Sequence, residues 1–323
     1  MKKALIVGIN EYKSAPLTGC INDANAVAEL LGLNEDGTRN FDVRTATSIK
    51  TRGGLIKNIK DLFDGGADTV LFYYSGHGYS SSDLGGYLVT PDASQEEPGV
   101  SMDAVMRLAD NSKAKNIIII LDCCHAGYLG TLDISGVGHA QIREGVTILA
   151  ASRSDESSVE VDGHGVFTNL LTSALEGGAA DISGNITPGS IYSYIDQALG
   201  PWDQRPVFKT NVSQFLSIRK TKASIPDESV RKLTAYFSRP DQQLDLNPSF
   251  EYTNSPQEKH MVVEPYADSK NVAIFKDLQK YARVGLVEPV DAEHMYYAAM
   301  NNKACKLTAL GKHYWRLVDS NRI

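Results

Sequence analysis

The run Ile117–Ile118–Ile119–Ile120–Leu121–Asp122–Cys123–Cys124–His125–Ala126–Gly127 decides the fold. Its apolar start, mostly β-branched, predicts a strand covered on both faces. The run then ends abruptly in an acid, two thiols and an imidazole. Open α/β sheets place their chemistry at the carboxyl ends of central strands. A second junction of this kind lies upstream, where Thr69–Val70–Leu71–Phe72–Tyr73–Tyr74 empties into Ser75–Gly76–His77–Gly78. Parallel pairing of the two strands would set a thiol and an imidazole at one rim of one sheet.

Outward from these strands, the pattern alternates between strand and helix. Ala4–Ile9, Phe41–Thr47, Val146–Ala151 and Pro206–Thr210 read as further strands. Ala24, Val27, Leu30 and Leu31 mark one helix face, and Ile56, Ile59, Leu62 and Phe63 another. Met102–Ala109 reads as a short helix, and Phe167, Leu170, Leu171, Ala174 and Leu175 form a strong helical stripe. Thr187–Pro188 is a helix start, with Thr as N-cap and Pro at the first helical position. Tyr79–Pro91 suggests a β-hairpin on the edge of the sheet, and the glycine-rich 127–145 stretch a mobile loop. Strands alternating with helices predict an α/β fold, a mainly parallel sheet covered on both faces.

At 323 residues the chain is long enough for one large and one small domain. Residues 220–270 are rich in Ser, Asp, Pro, Asn and Gln and read as a linker or loosely packed segment. Helices at Val272–Ala282, Ala292–Met300 and Leu307–Val318 then predict a small, mostly helical domain over 271–323. No apolar run approaches the roughly 20 residues of a membrane span. Met1–Gly8 resembles a signal peptide only superficially, being too short in its apolar part, and reads as the first strand of a cytoplasmic protein. Adjacent Cys123 and Cys124 suit reduced thiols better than a disulfide framework. Residues 1–220 carry 18 basic and 26 acidic side chains, the remainder 14 and 13. Neither part has the basic footprint of a strong nucleic-acid binder.

Sulfur attacks a carbonyl as thiolate, so a catalytic Cys needs a base or a cationic partner. His77 is the candidate general base and acid, 47 residues before Cys124. His125 is the rival base, disfavoured by its adjacency to the nucleophile. Zinc at Cys123, Cys124 and His125 is disfavoured because contiguous ligands lack the usual spacing. Each candidate also has a plain role: Cys124 as a buried core thiol, Asp23 as a helix N-cap, Asp122 as a strand-end acid.

Tyr74–Ser75–Gly76–His77–Gly78 and Asp122–Cys123–Cys124–His125–Ala126–Gly127 resemble the two catalytic motifs of the caspase-like cysteine peptidases, the metacaspases and bacterial orthocaspases. Gly19–Cys20–Ile21–Asn22–Asp23–Ala24 resembles a metacaspase substrate-pocket motif. Ala150–Ala151–Ser152–Arg153–Ser154–Asp155–Glu156–Ser157 with Gly165–Val166–Phe167–Thr168 resembles the start of that family's smaller catalytic half. The likeness covers about residues 1–218. It implies a three-layer αβα caspase-like domain over 1–219, large-subunit-like over 1–140 and small-subunit-like over 141–219.

The same resemblance implies Cys124 as nucleophile, and the backbone amides of Gly78 and Cys124 as the oxyanion hole. It places Asp23, Ser75 and Asp122 in the pocket for the residue before the scissile bond. Two carboxylates in one half-buried pocket raise each other's pKa, which a guanidinium or ammonium relieves. Cleavage after Arg or Lys is therefore expected. No third triad member is evident, so the site reads as a dyad. No metal or cofactor is expected: calcium is used by many metacaspases, but only scattered acids such as Asp83 and Asp92 are present. Arg143 and Arg153 are candidate processing sites. The partners expected are a protein or peptide substrate and an activating protease or adaptor. By family likeness, the role is a regulated effector of bacterial stress response, antiviral defence or programmed death. About the last 50 residues resemble a winged-helix fold. Its near-neutral charge favours protein contact or autoinhibition over DNA binding. The rival readings are an inactive caspase-fold scaffold and a DNA-binding regulator.

Overall fold

A computed structural model describes residues 1–81, 85–123, 142–151, 160–161, 164–200, 206–213, 216–255 and 262–323. Contacts divide the chain into one unit over Met1–Lys222 and a second over Ala223–Ile323.

In the first unit the elements run β1 (Lys2–Gly8), α1 (Cys20–Gly32), β2 (Asp42–Ala46), α2 (Arg52–Phe63), β3 (Thr69–Ser75), β4 (Gly78–Ser81), β5 (Gly85–Val89), β6 (Gly99–Ser101), α3 (Met102–Asn111) and β7 (Asn116–Asp122). There follow β8 (Val146–Ala150), β9 (Glu160–Val161), β10 (His164–Gly165), α4 (Val166–Ser173), β11 (Asn185–Ile186), α5 (Pro188–Ala198), β12 (Val207–Asn211) and β13 (Arg219–Lys220). Six strands form one sheet in the order β12-β8-β7-β3-β1-β2. All pair in parallel except β12, which runs antiparallel to β8.

Side chains alternate across this sheet, because successive strand residues face opposite sides. Val70, Phe72 and Tyr74 of β3 join Ile117, Ile119 and Leu121 of β7 in a core with Leu55 and Ile59 of α2 and Val105 and Met106 of α3. Leu71 and Tyr73 join Ile118 and Ile120 on the other face, under Val27 and Leu31 of α1, Phe167 and Leu171 of α4, and Ile191 of α5. The result is the three-layer αβα arrangement, and burial on both faces is why β3 and β7 read as unbroken apolar runs.

Helix starts follow local chemistry. Thr51 and Ser101 accept amide hydrogen bonds at the starts of α2 and α3. Thr187 and Ser190 form a reciprocal capping box at α5, with Pro188 in its first turn.

The 79–91 hairpin is not on the main sheet's edge. β4, β5 and β6 form a separate three-stranded sheet, and β2 and β12 hold the edges. Leu88 and Val100 tie this small sheet to the α2–α3 core. The expected loop 127–145 lies mostly outside the described residues. Its end is anchored: the Arg143 guanidinium donates to the carbonyls of Asp110, Ser112 and Ala114 at 3.3, 2.7 and 2.7 Å. These carbonyls lie at and just beyond the end of α3, where helical partners run out. Arg143 is thus a clamp, and a cut there would first require it to open.

The second unit contains α6 (Asp227–Arg231), α7 (Leu233–Tyr236), β14 (Gln243–Asp245), α8 (Ser269–Arg283), β15 (Val287–Val290), α9 (Met295–Met300), β16 (Ala304–Leu307) and α10 (Ala309–Asp319). One feature corrects the sequence reading. Residues 223–255 are not a linker, since Ile225, Val230, Leu233, Phe237, Leu246 and Phe250 are buried. The unit is mostly helical, and β14, β16 and β15 add a small antiparallel sheet in that order.

Polar composition misled here because the polar groups bond inward. Buried Asn254 donates from its side-chain amide to the carbonyls of Pro248, Val263 and Pro265, and accepts from the Val263 amide. Tyr314 and Trp315 are buried, with the indole N–H on the Phe237 carbonyl at 2.6 Å. Among the described residues, no helix is long and apolar enough to cross a membrane.

Candidate functional site

The carboxyl ends of β1, β3 and β7 meet at one rim. β3 and β7 pair in register from Thr69↔Asn116 to Ser75↔Asp122, and the Gly76 amide continues the ladder to the Asp122 carbonyl at 3.3 Å. Neighbouring strands lie about 4.8 Å apart. The two motifs therefore leave the sheet side by side. His77 follows Ser75 by two residues, as Cys124 follows Asp122. Cys124 itself, with Cys123 buried just before it, lies outside the described residues, as does Arg153.

His77 is half-buried and held on several sides. Its Nε2 lies 2.7 Å from the carbonyl of Ala15. A carbonyl only accepts, so Nε2 carries the proton and Nδ1 is left as the basic nitrogen. Ala15 takes a left-handed backbone conformation, with φ 58°, which for a residue with a Cβ is strained. The imidazole packs on Tyr12 with ring centroids 4.5 Å apart.

Gly78 opens β4 opposite Leu88. The Val89 amide donates to the His77 carbonyl at 3.0 Å, which makes Gly78 and Leu88 a non-hydrogen-bonded pair. Since a trans peptide points its N–H opposite its C=O, the Gly78 amide is directed away from β5.

On the α1–α4 face of the rim, the three predicted pocket residues come together. Asp23, Ser75 and Asp122 are 2%, 2% and 5% exposed. Ser75 Oγ donates to Asp23 Oδ2 at 3.2 Å, and the Gly165 amide reaches the same oxygen at 3.3 Å. Thr168 Oγ1 donates to Asp122 Oδ2 at 2.5 Å, and the Tyr73 hydroxyl sits 2.6 Å from Thr168 Oγ1. Thr168 has one proton to give, so Tyr73 donates to it.

Asp23 is not the cap of α1. Gly19 holds that position, and Asp23 lies in the first turn with its carboxylate aimed at the rim. Burial pushes the Asp122 carboxyl up to about 7; the Thr168 hydroxyl opposes this and the charge of Asp23 adds to it. Gly165 lies against both acids. A Cβ there would meet Asp122 Oδ2 at 2.7 Å and Asp23 Oδ2 at 3.5 Å.

Reading the sequence missed the Ala15 carbonyl, Tyr12, Thr168 and Gly165. The first leaves no trace, because every residue has a carbonyl, and Tyr12 has no distinguishing neighbours. Thr168 and Gly165 were within reach, since both sit in the Gly165–Val166–Phe167–Thr168 motif.

Among the described residues no three His, Cys, Asp or Glu side chains gather as metal ligands. Asp92 is engaged at the start of α2, accepting from the Arg52 amide at 2.9 Å and the Thr90 hydroxyl at 2.6 Å. Asp83 lies outside the described residues.

The metacaspase-1 of Cryptococcus neoformans var. neoformans serotype D (strain JEC21) is 37% identical over 95 residues, 26% of this chain and 21% of that protein. The metacaspase-1 of Kluyveromyces lactis is 27% identical over 175 residues, 50% of this chain and 34% of that protein. This chain thus spans well under half of either relative. Among solved structures, protein GSU0716 from Geobacter sulfurreducens superposes with a TM-score of 0.51 at 18% identity, covering 68% of this chain and 97% of that one, a likeness of fold alone. The family profile of the caspase domain matches residues 1–237, all of the unit that carries the rim, and on that match the chain belongs to the caspase-domain family.

Proposed function

We propose that this chain is a cysteine endopeptidase that cuts proteins after Arg or Lys. In this reading Cys124 is the nucleophile and His77 the base, and Asp23, Ser75 and Asp122 line the specificity pocket. The observation that carries the reading is the buried pair Asp23 and Asp122 on the rim beside His77. Burial and the neighbouring charge of Asp23 both disfavour the ionised Asp122, and an incoming guanidinium or ammonium relieves that repulsion. Charge-assisted bonds of this kind contribute roughly 1.5–3 kcal/mol each, about ten- to a hundredfold in preference.

The steps follow from the groups. Nδ1 of His77 takes the proton of the Cys124 thiol. The thiolate attacks the scissile carbonyl, forming a C–S bond and an oxyanion that the amides of Gly78 and Cys124 stabilise. The C–N bond then breaks, and His77 returns its proton to the departing amine. Water attacks the thioester while His77 takes one of its protons, the C–S bond breaks to release the acid, and His77 returns that proton to the sulfur to regenerate the thiol. No metal enters these steps.

A fluorogenic peptide series tests the reading. Peptides ending in Arg or Lys are expected to be cleaved, peptides ending in Asp left intact, and a calcium chelator to change neither result. Hydrolysis of the Asp peptides alone would overturn the pocket. No hydrolysis of any peptide, with Cys124 unreactive, would favour a binding scaffold.

A further inference from the structure

Both backbone groups of His77 end on phenols. The His77 amide donates to the Tyr12 hydroxyl at 3.0 Å, and Tyr12 Oη lies 3.2 Å from Tyr74 Oη. The Tyr74 hydroxyl faces the carbonyls of His77 at 3.0 Å and Val89 at 2.8 Å. Each phenol has one proton. Tyr74 spends its proton on these carbonyls, so Tyr12 donates to Tyr74. The chain of bonds therefore leaves His77 through its N–H, passes through two hydroxyls, and returns to its C=O.

Such directed chains polarise one another and hold geometry better than single bonds. Both phenols are buried, and burial keeps them protonated, so the chain persists at any working pH. Gly76 leaves room for it: a Cβ there would meet Tyr12 Oη at 2.5 Å and Tyr74 Oη at 2.7 Å.

Tyr12 touches the site twice more. Its ring packs against the imidazole at a tilt of 59°, and its loop supplies the Ala15 carbonyl that fixes the tautomer. Asn10 braces that loop. Its carbonyl accepts from the Tyr12 and Leu17 amides, and its side chain bonds the Thr18 carbonyl and the Ile21 amide. The peptide joining His77 to Gly78 is planar, so fixing its carbonyl also fixes the Gly78 N–H.

We propose that Tyr12 is a positioning residue, which through Tyr74 sets the His77 ring and the Gly78 amide as one rigid piece. This rests on the reading of His77 as general base. Tyr12 does not touch the reacting atoms, and it packs in the α2–α3 core, across the sheet from Asp23 and Asp122.

The test is Tyr12→Phe, which keeps the ring and removes the hydroxyl, assayed with an Arg peptide. Loss of a bond of this kind should lower kcat about tenfold and leave KM within about twofold. Gly76→Ala is expected to lower kcat by displacing the same oxygens. Its cost should shrink in the Tyr12→Phe background, because the nearest oxygen is gone.

An unchanged kcat for Tyr12→Phe, or strict additivity with Gly76→Ala, overturns the proposal. So does a rise in KM as large as the fall in kcat. His77→Gln, measured in parallel, separates the two levels. If it is inactive while Tyr12→Phe is normal, only the positioning role fails. If it is active, the reading of His77 fails first.

Discussion

Asp122→Asn is expected to make the chain more stable at pH 8 and, in the same molecule, to weaken cleavage after Arg or Lys. The stability half follows from linkage. In the unfolded chain the Asp122 carboxyl titrates near its ordinary 3.8, and in the folded chain near 7. Between those values the folded state binds more protons, so the stability contributed by this group falls as pH rises from about 4 through about 7. Above pH 7 the full cost of a buried charge is present, on the order of 2–4 kcal/mol.

Asn does not ionise, keeps an oxygen for the Thr168 hydroxyl, and can donate to Asp23. Thermal melts should therefore show the variant level with the parent near pH 4 and increasingly above it as pH rises to 8. The functional half has the opposite sign, because the lost carboxylate is what receives the cation. A fall in kcat/KM of about ten- to a hundredfold for Arg peptides is expected, from loss of one charge-assisted pair. A variant less stable at pH 8, with unchanged Arg cleavage, would make Asp122 an ordinary strand-end acid.

His77→Gln should lower kcat sharply. Gln fills a similar volume and can donate to the Ala15 carbonyl, so the loop around Tyr12 should survive. It has no nitrogen that can take a thiol proton at neutral pH. General acid–base groups supply roughly 10²–10⁴ in rate, and a loss of kcat in that range is expected. Binding of an Arg peptide should be nearly unchanged, because Asp23, Ser75 and Asp122 bond to α4, β10 and one another rather than to His77. Activity within about threefold of the parent would remove His77 from the mechanism, given that range.

Most of the sheet was legible because β3 and β7 are buried on both faces, and apolar runs ending in functional residues are hard to read otherwise. Thr187–Pro188 announced α5 for an equally local reason, since a capping hydroxyl and a fixed φ act within one turn. The acids were legible as types but not as neighbours. Asp23 suits a helix N-cap, and only the close seating of α1 on the sheet turns its carboxylate to Ser75.

Long-range choices were less legible. Nothing in 79–101 says whether its hairpin joins the main sheet or forms its own. Residues 223–255 hide their core among polar residues, in elements of three to five residues, too short to show a period. The Ala15 carbonyl has no sequence signature at all, although it decides which imidazole nitrogen is basic.

The central claim is that Cys124 and His77 act together beside an acidic pocket that receives a cationic side chain. Mass-spectrometric mapping after treatment with an Arg-ended peptidyl chloromethyl ketone tests it most directly. One adduct per chain on Cys124 is expected, formed much more slowly in His77→Gln and not at all with the Asp-ended reagent. Labelling of Cys20 or Cys123 instead, or faster reaction with the Asp-ended reagent, would contradict it.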